Sequence, residues 1–199
     1  MAGVPFVGLT GGLGAGKSEA LRALDELGAA TLSTDTVVHE LLTGDALRDI
    51  LVERLGPEVA PDGQLDRSLI AERVFGDDEA RAWLEGQLWP RVGQRVAEWK
   101  LKVEALDPAP PAAVVEVPLL FESGMEAAFD ATIAVVADEA VREERAGARG
   151  HSAVAERAGR QLSQAEKSQR ADFEVRNDGT LEELRETLSR VLATLEPVP

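Results

Sequence analysis

The sequence predicts an α/β protein with a parallel five-stranded sheet covered by helices. Three observations carry this reading. Short apolar segments alternate with stretches of helical periodicity, as parallel strands joined by crossover helices do. The first apolar segment runs into a glycine-rich turn and then a helix. And 44% of the 199 residues are apolar, enough for a core and too many for a disordered chain.

The elements follow in order. Pro5 to Thr10 is the first strand, and glycines 11, 12, 14 and 16 turn the chain. Glu19 to Leu27 is a helix with Leu21, Leu24 and Leu27 on one face and Gly28 as its end signal. Ala29 to Ser33 is the second strand, expected beside the first in the doubly wound order. From Thr36 to Leu55 apolar residues recur at helical spacing, and Gly44 divides the stretch into two helices. Pro61-Asp62-Gly63 is a turn, Asp66 caps a helix reaching Phe75, and Glu79 to Leu106 is largely helical with a bend near Pro90. Successive helices without a strand read as an insert off the sheet.

Asp107 to Pro111 is a stiff linker. Ala112 to Val117 is apolar and β-branched, a buried strand cut by Pro118, and Ala131 to Ala137 is the next strand. Asp138 opens a helical region, rich in Arg and Glu, that extends to about Ala171. Phe173 to Arg176 is the last strand. Thr180 and Glu183 form a capping box for a final helix whose Leu181, Leu184, Leu188, Val191, Leu192 and Leu195 face the core.

Charge and composition exclude several functions. With 21 basic and 36 acidic residues the net charge is −15, which repels nucleic acids and anionic membranes. Aromatics are 4% with no Tyr, so stacking platforms for single strands are not expected. No cysteine is present, which removes disulfides, thiolate zinc sites and cysteine nucleophiles and suits a reducing compartment. His39 and His151, the only histidines, make no metal site. No apolar run of about 20 residues and no basic leader occur, so a soluble, cytoplasmic protein is expected.

The chemistry begins at Gly11-Gly12-Leu13-Gly14-Ala15-Gly16-Lys17-Ser18, a full match to G-x-x-x-x-G-K-[ST] between a strand and a helix. Glycines let successive N–H groups point inward at phosphate oxygens, and the helix N-terminus adds positive potential. Gly12 through Glu19 are the residues expected around the triphosphate. Lys17 reaches the β- and γ-phosphates and Ser18 places its hydroxyl on Mg²⁺. This is a nucleoside triphosphate site, and it predicts a P-loop NTPase-type three-layer fold. It leaves the acceptor of the phosphate open.

Several residues bear on the acceptor. Asp35 lies just past the second strand. Its carboxylate is placed either to take a proton from a substrate hydroxyl or to cap the next helix. Glu116 ends a hydrophobic strand, either as a holder of a magnesium water or as an ordinary strand-end charge. Pro118-Leu119-Leu120-Phe121-Glu122 packs an apolar substrate body or belongs to the core. Arg142, Arg145 and Arg149 share one helical face. With Arg157, Arg160 and the glycines at 147 and 150 they read as a lid over the nucleotide, against the plainer reading of a solvated helix.

In order and spacing, Thr10 to Ser18, Ser33-Thr34-Asp35, Pro118 to Gly124, Arg145 with Arg149, and Asp172 to Asn177 with Gly179 resemble the dephospho-CoA kinase family. Asp62 to Arg67 and Val74-Phe75 resemble that family's substrate-side helical segment. The resemblance spans nearly the whole chain. It implies phosphorylation of the ribose 3′-hydroxyl of dephospho-CoA by ATP with Mg²⁺, the last step of CoA synthesis. It also implies three parts: a nucleotide-binding core of residues 1–60, 108–137 and 172–199, a helical CoA-side insert of 61–107, and a helical lid of 138–171. Asp35, Lys17 and Arg145 would be catalytic, with Asp35 as base or hydroxyl-orienting group. Arg149 and Asn177 would lie near the adenine or phosphates, and Arg67, Leu119 and Glu122 on the substrate side. The chain departs from the family at Ser33-Thr34, where Asp-Ala is usual, at His39, where arginine is common, and at Trp89-Pro90, where His-Pro is usual.

Two rivals differ in class. Another small-molecule kinase would share the phosphate loop. A nucleotide-dependent switch reading guanine needs Asn-Lys-x-Asp, and none of Lys17, Lys100, Lys102 and Lys167 sits in one.

Overall fold

The computed structural model describes residues 3–147 and 161–195. Strands β1 (Phe6–Gly11), β2 (Ala30–Ser33), β3 (Ala113–Glu116), β4 (Ala131–Val136) and β5 (Phe173–Arg176) form one five-stranded sheet. All its pairings are parallel, in the order β2-β3-β1-β4-β5. The strands match the apolar runs to within a residue or two.

The expected adjacency of β2 and β1 does not hold. β3 lies between them, with Val114 in register with Val7 on one side and Thr31 on the other. The burial explains the order. All four residues of β3 are buried, as a strand flanked on both sides must be, whereas β2 is only half-buried along its length and takes the edge.

Helices α1 (Lys17–Glu26) and α8 (Leu181–Thr194) cover one part of the sheet. Leu24 of α1 and Leu184 and Leu188 of α8 meet Val7, Leu9, Ile133, Val135 and Val175 in the core, with Leu21, Leu27, Leu192 and Leu195 packed against it. The predicted capping box is present: Glu183 N donates to the Thr180 hydroxyl and Thr180 N to the Glu183 carboxylate. Leu181, assigned to the core face, is 54% exposed, because it opens the first turn one step ahead of the buried stripe.

The chain divides into two compact units, 1–33 with 100–199, and 34–99. The second unit comprises α2 (Thr34–Thr43), α3 (Asp45–Leu55), α4 (Arg67–Val74) and most of α5 (Asp78–Glu104). Its core is separate: Leu42, Leu47, Leu51 and Leu55 pack with Val59, Ile70, Val74, Ala80 and Leu84. It therefore takes in α2 and α3, which the sequence reading grouped with the sheet. Gly44 separates α2 from α3 as expected, and Asp66 caps α4 by accepting from Ser68 N and Leu69 N. The helix α5 is continuous through Pro90.

The first unit also holds α6 (Glu139–Gly147) and α7 (Gln164–Arg170). The expected lid residues Arg149, Arg157 and Arg160 lie outside the described residues. No helix among the described residues is long and apolar enough to cross a membrane.

Candidate active site

β1 delivers the chain to Gly11, and two later glycines make the loop possible. Gly14 has φ 75° and Gly16 φ 89°, in the left-handed region that side-chain-bearing residues avoid. Space reinforces the requirement. A Cβ on Gly14 would lie 2.6 Å from the Arg142 carbonyl oxygen, and one on Gly16 would collide with Asn177 Nδ2. Gly16 is also the N-cap of α1 and offers no side-chain cap, so the first amides of that helix point at the loop. Lys17 folds back over the turn and donates to the Gly11 carbonyl at 3.1 Å and the Gly12 carbonyl at 3.0 Å. Ser18 is exposed in the first turn of α1. The Glu19 carboxylate accepts from Arg22 at 2.6 Å.

A brace of distant residues holds this loop. Asn177 is buried. Its main-chain N–H donates to the Val136 carbonyl at 2.8 Å, and its Nδ2 to the Ala15 carbonyl at 3.0 Å. Arg145 donates to the Asn177 carbonyl at 3.0 Å, and Arg142 Nε to the Leu13 carbonyl at 2.9 Å. Two of the three arginines read as one helical face thus contact the phosphate loop or its brace. Arg149 lies outside the described residues.

On the helical unit, α2 begins at Thr34 and puts Asp35 inside its first turn, not at the capping position. Asp35 is half exposed, and Arg67, the first residue of α4, stands 3.8 Å from its carboxylate. His39 is exposed, and Trp89 stands at 36% exposure.

The family model described as dephospho-CoA kinase matches residues 5–183. The chain belongs to the dephospho-CoA kinase family. It is 39% identical over 194 residues to a dephospho-CoA kinase of Protochlamydia amoebophila, covering 96% of each chain. It is 41% identical over 170 residues to one of Moorella thermoacetica, covering 83% of this chain and 78% of the relative. Among solved structures, a Thermus thermophilus protein superposes with a TM-score of 0.79 at 32% identity, covering 98% of this chain and 99% of that one. Shikimate kinase from Bacteroides thetaiotaomicron superposes with a TM-score of 0.53 at 14% identity, covering 95% of this chain and 96% of that one, a likeness of fold alone.

Within this dephospho-CoA kinase family member, the segment after β3 shows how the remaining residues lie. Leu120 and Phe121 are buried, Leu119 is half-buried, and Glu116 is buried at the strand end in register with Leu9 and Ser33. Glu122 points inward. Its Oε1 accepts from the ammonium of Lys167 at 3.0 Å and from Leu162 N at 2.8 Å.

Two further polar residues stand close to the loop and to the segment after β3, and the sequence alone does not single them out. Gln164 clasps the end of β4, accepting from Ala137 N and donating to Ala137 O, both at 2.9 Å. Its Cγ lies 2.8 Å from where a Cβ on Gly12 would stand. Lys167 is fully buried. Its burial pulls the ammonium below the usual lysine range, and Glu122 pushes it back up. The available signal was the capping box Ser163–Glu166, which starts α7 and sets both side chains one turn apart on it.

Among the described residues no three His, Cys, Asp or Glu side chains gather into a metal site. The donor set nonetheless fits Mg²⁺ carried by a triphosphate, since the accessible Ser18 hydroxyl is a hard oxygen donor beside Lys17.

Proposed function

We propose that this chain performs its family's reaction, transfer of the γ-phosphoryl group of ATP to the ribose 3′-hydroxyl of dephospho-CoA, giving CoA and ADP. The observation that carries the reading is the braced loop Gly11–Ser18 on β1, in a chain whose family match spans residues 5–183.

The residues divide the work. Amides of Gly12 to Ser18 and the start of α1 receive the β- and γ-phosphate oxygens. Lys17 exchanges the Gly11 and Gly12 carbonyls for those oxygens and meets the charge of the transferred group. Arg145 adds a second cation while its hydrogen bond to Asn177 fixes its place. Mg²⁺, when bound with ATP, neutralises phosphate charge, and Ser18 is the residue that would hold it. Asp35 orients the 3′-hydroxyl and takes its proton as the oxygen bonds to the γ-phosphorus and the bond to the β-phosphate oxygen breaks. Arg67, beside Asp35, faces the anionic substrate. The work is cytoplasmic and needs no nucleic acid or membrane.

The test is ADP release from ATP·Mg²⁺ by the full chain, with dephospho-CoA, shikimate, a nucleoside monophosphate or no acceptor. Strong stimulation by dephospho-CoA alone, with CoA identified by mass, is expected. Stimulation by another acceptor instead would replace the assigned one, and guanine preference would favour a switch.

A further inference from the structure

In a trans peptide the carbonyl of one residue and the N–H of the next point in opposite directions, so a donor that fixes the first also aims the second. Arg142 of α6 fixes one such unit of the phosphate loop. Its Nε donates to the Leu13 carbonyl at 2.9 Å, which turns the Gly14 N–H away from the guanidinium. Asn177 fixes the unit two residues on: its Nδ2 takes the Ala15 carbonyl at 3.0 Å and turns the Gly16 N–H the other way. Neither amide donates to any group among the described residues. Amides of a glycine-rich turn that lack a protein acceptor are what an anion's oxygens take up.

The Leu13–Gly14 unit needs an outside hold. Glycine restrains its own backbone little, so this peptide is free to rotate unless something grips it. Arg142 grips it twice. Besides the side-chain bond, its main chain abuts the turn: a Cβ on Gly14 would lie 2.6 Å from the Arg142 carbonyl oxygen and 3.1 Å from its Cα. The guanidinium is thus seated on the loop by its Nε, while Nη1 and Nη2 make no hydrogen bond or ion pair among the described residues.

We propose that Arg142 is a positioning residue for the phosphoryl donor: by holding the Leu13 carbonyl it aims the Gly14 amide at an oxygen of the triphosphate. The proposal rests on the assignment of the triphosphate to this loop. Under it the hydrogen bond carries the effect, the charge does not, and Arg142 does not touch the nucleotide.

The test compares the full chain with Arg142→Met, which keeps the stem and removes the donor, and Arg142→Gln, which removes the charge and keeps an N–H donor. Titration calorimetry reads Kd for ATP·Mg²⁺, steady-state kinetics read KM for dephospho-CoA, and circular dichroism reads Tm. Arg142→Met is expected to raise Kd for ATP about ten-fold or more, with KM for dephospho-CoA within about two-fold. Arg142→Gln should recover most of the loss. An unchanged Kd for ATP in Arg142→Met overturns the proposal, whether or not Tm falls, and so do equal losses toward both substrates. Arg142→Gln no better than Arg142→Met also overturns it, because the charge would then act on the nucleotide directly. Should Arg142→Met fail to fold, Arg142→Leu takes its place under the same requirements. An unaltered chain that binds no ATP·Mg²⁺ overturns the triphosphate assignment itself. One that binds ATP but does not phosphorylate dephospho-CoA overturns only the assigned acceptor, and the Kd values of the variants still decide the role of Arg142.

Discussion

In the sheet unit, Lys17, Asn177 and Lys167 each donate to main-chain carbonyls, and Asn177 and Lys167 reach partners remote in sequence. In the helical unit, Asp35 and Arg67 meet across 3.8 Å with about half of each side chain in solvent. The contrast is one of preorganisation. On the proposed assignment the phosphate loop presents Lys17 and a neighbouring Asn177 brace already held by main-chain carbonyls, so little ordering would remain when charge develops. On the proposed assignment the helical unit meets the acceptor with an exposed pair, whose final geometry the substrate itself would select.

The largest expected effect breaks the fixed half. Lys17→Ala should lower kcat/KM for ATP on the order of 10³-fold, read by ADP release, with the circular dichroism spectrum unchanged. On the other side, Asp35→Asn should lower kcat about 10²- to 10⁴-fold and leave the Kd for ATP within about two-fold. A loss of ATP affinity there would remove Asp35 from the acceptor role. Asn177→Ala strands the Ala15 carbonyl in a buried site, which costs about 1–3 kcal/mol. A fall in Tm of several degrees is expected, and an unchanged Tm would show that the brace is dispensable. Arg67→Ala should shift stability by less than about 0.5 kcal/mol and raise KM for dephospho-CoA several-fold, since an exposed pair contributes little to folding.

The smallest effect is in acid. Donors from Ser68 hold the Asp66 carboxyl below its usual 3.8, and Ser163 and Thr180 hold Glu166 and Glu183 below 4.5. Lowered values in the folded state mean that these caps stabilise fully above the ordinary values and lose their contribution as pH falls through the lowered ones. Glu183→Gln, which keeps the capping pattern without the titration, should flatten the dependence of Tm on pH below about 4.5.

Much of this was legible in the amino-acid order, because local rules wrote it. Gly11 to Ser18, the Asp66 cap and the Thr180–Glu183 box each rest on a few neighbouring residues. The strands were legible too, since burial on both faces leaves runs such as Ala113–Glu116 almost wholly apolar. Their lateral order was not. Nothing within Ala30–Ser33 announces that it pairs with a strand some eighty residues later. The placement of Gln164 and Lys167 was hidden for the same reason: a polar residue on a short helix reads as surface until the fold sets it against Gly12 or Pro118. Asn177 and Arg145 were seen as site residues, but their grip on the loop and on each other was not.

The strand order bears on how the chain is made. β1 and β2 do not pair with each other, and β3, which joins them, follows β1 by more than a hundred residues. At synthesis rates of about 5–20 residues per second, the phosphate-loop strand waits roughly 5–20 s for its inner partner to leave the ribosome. Over that interval residues 34–99 emerge with a hydrophobic cluster made of their own residues, and local contacts form fast. The nascent chain is thus expected to hold a finished helical unit behind an apolar strand still without its sheet, and that strand is where a chaperone would bind.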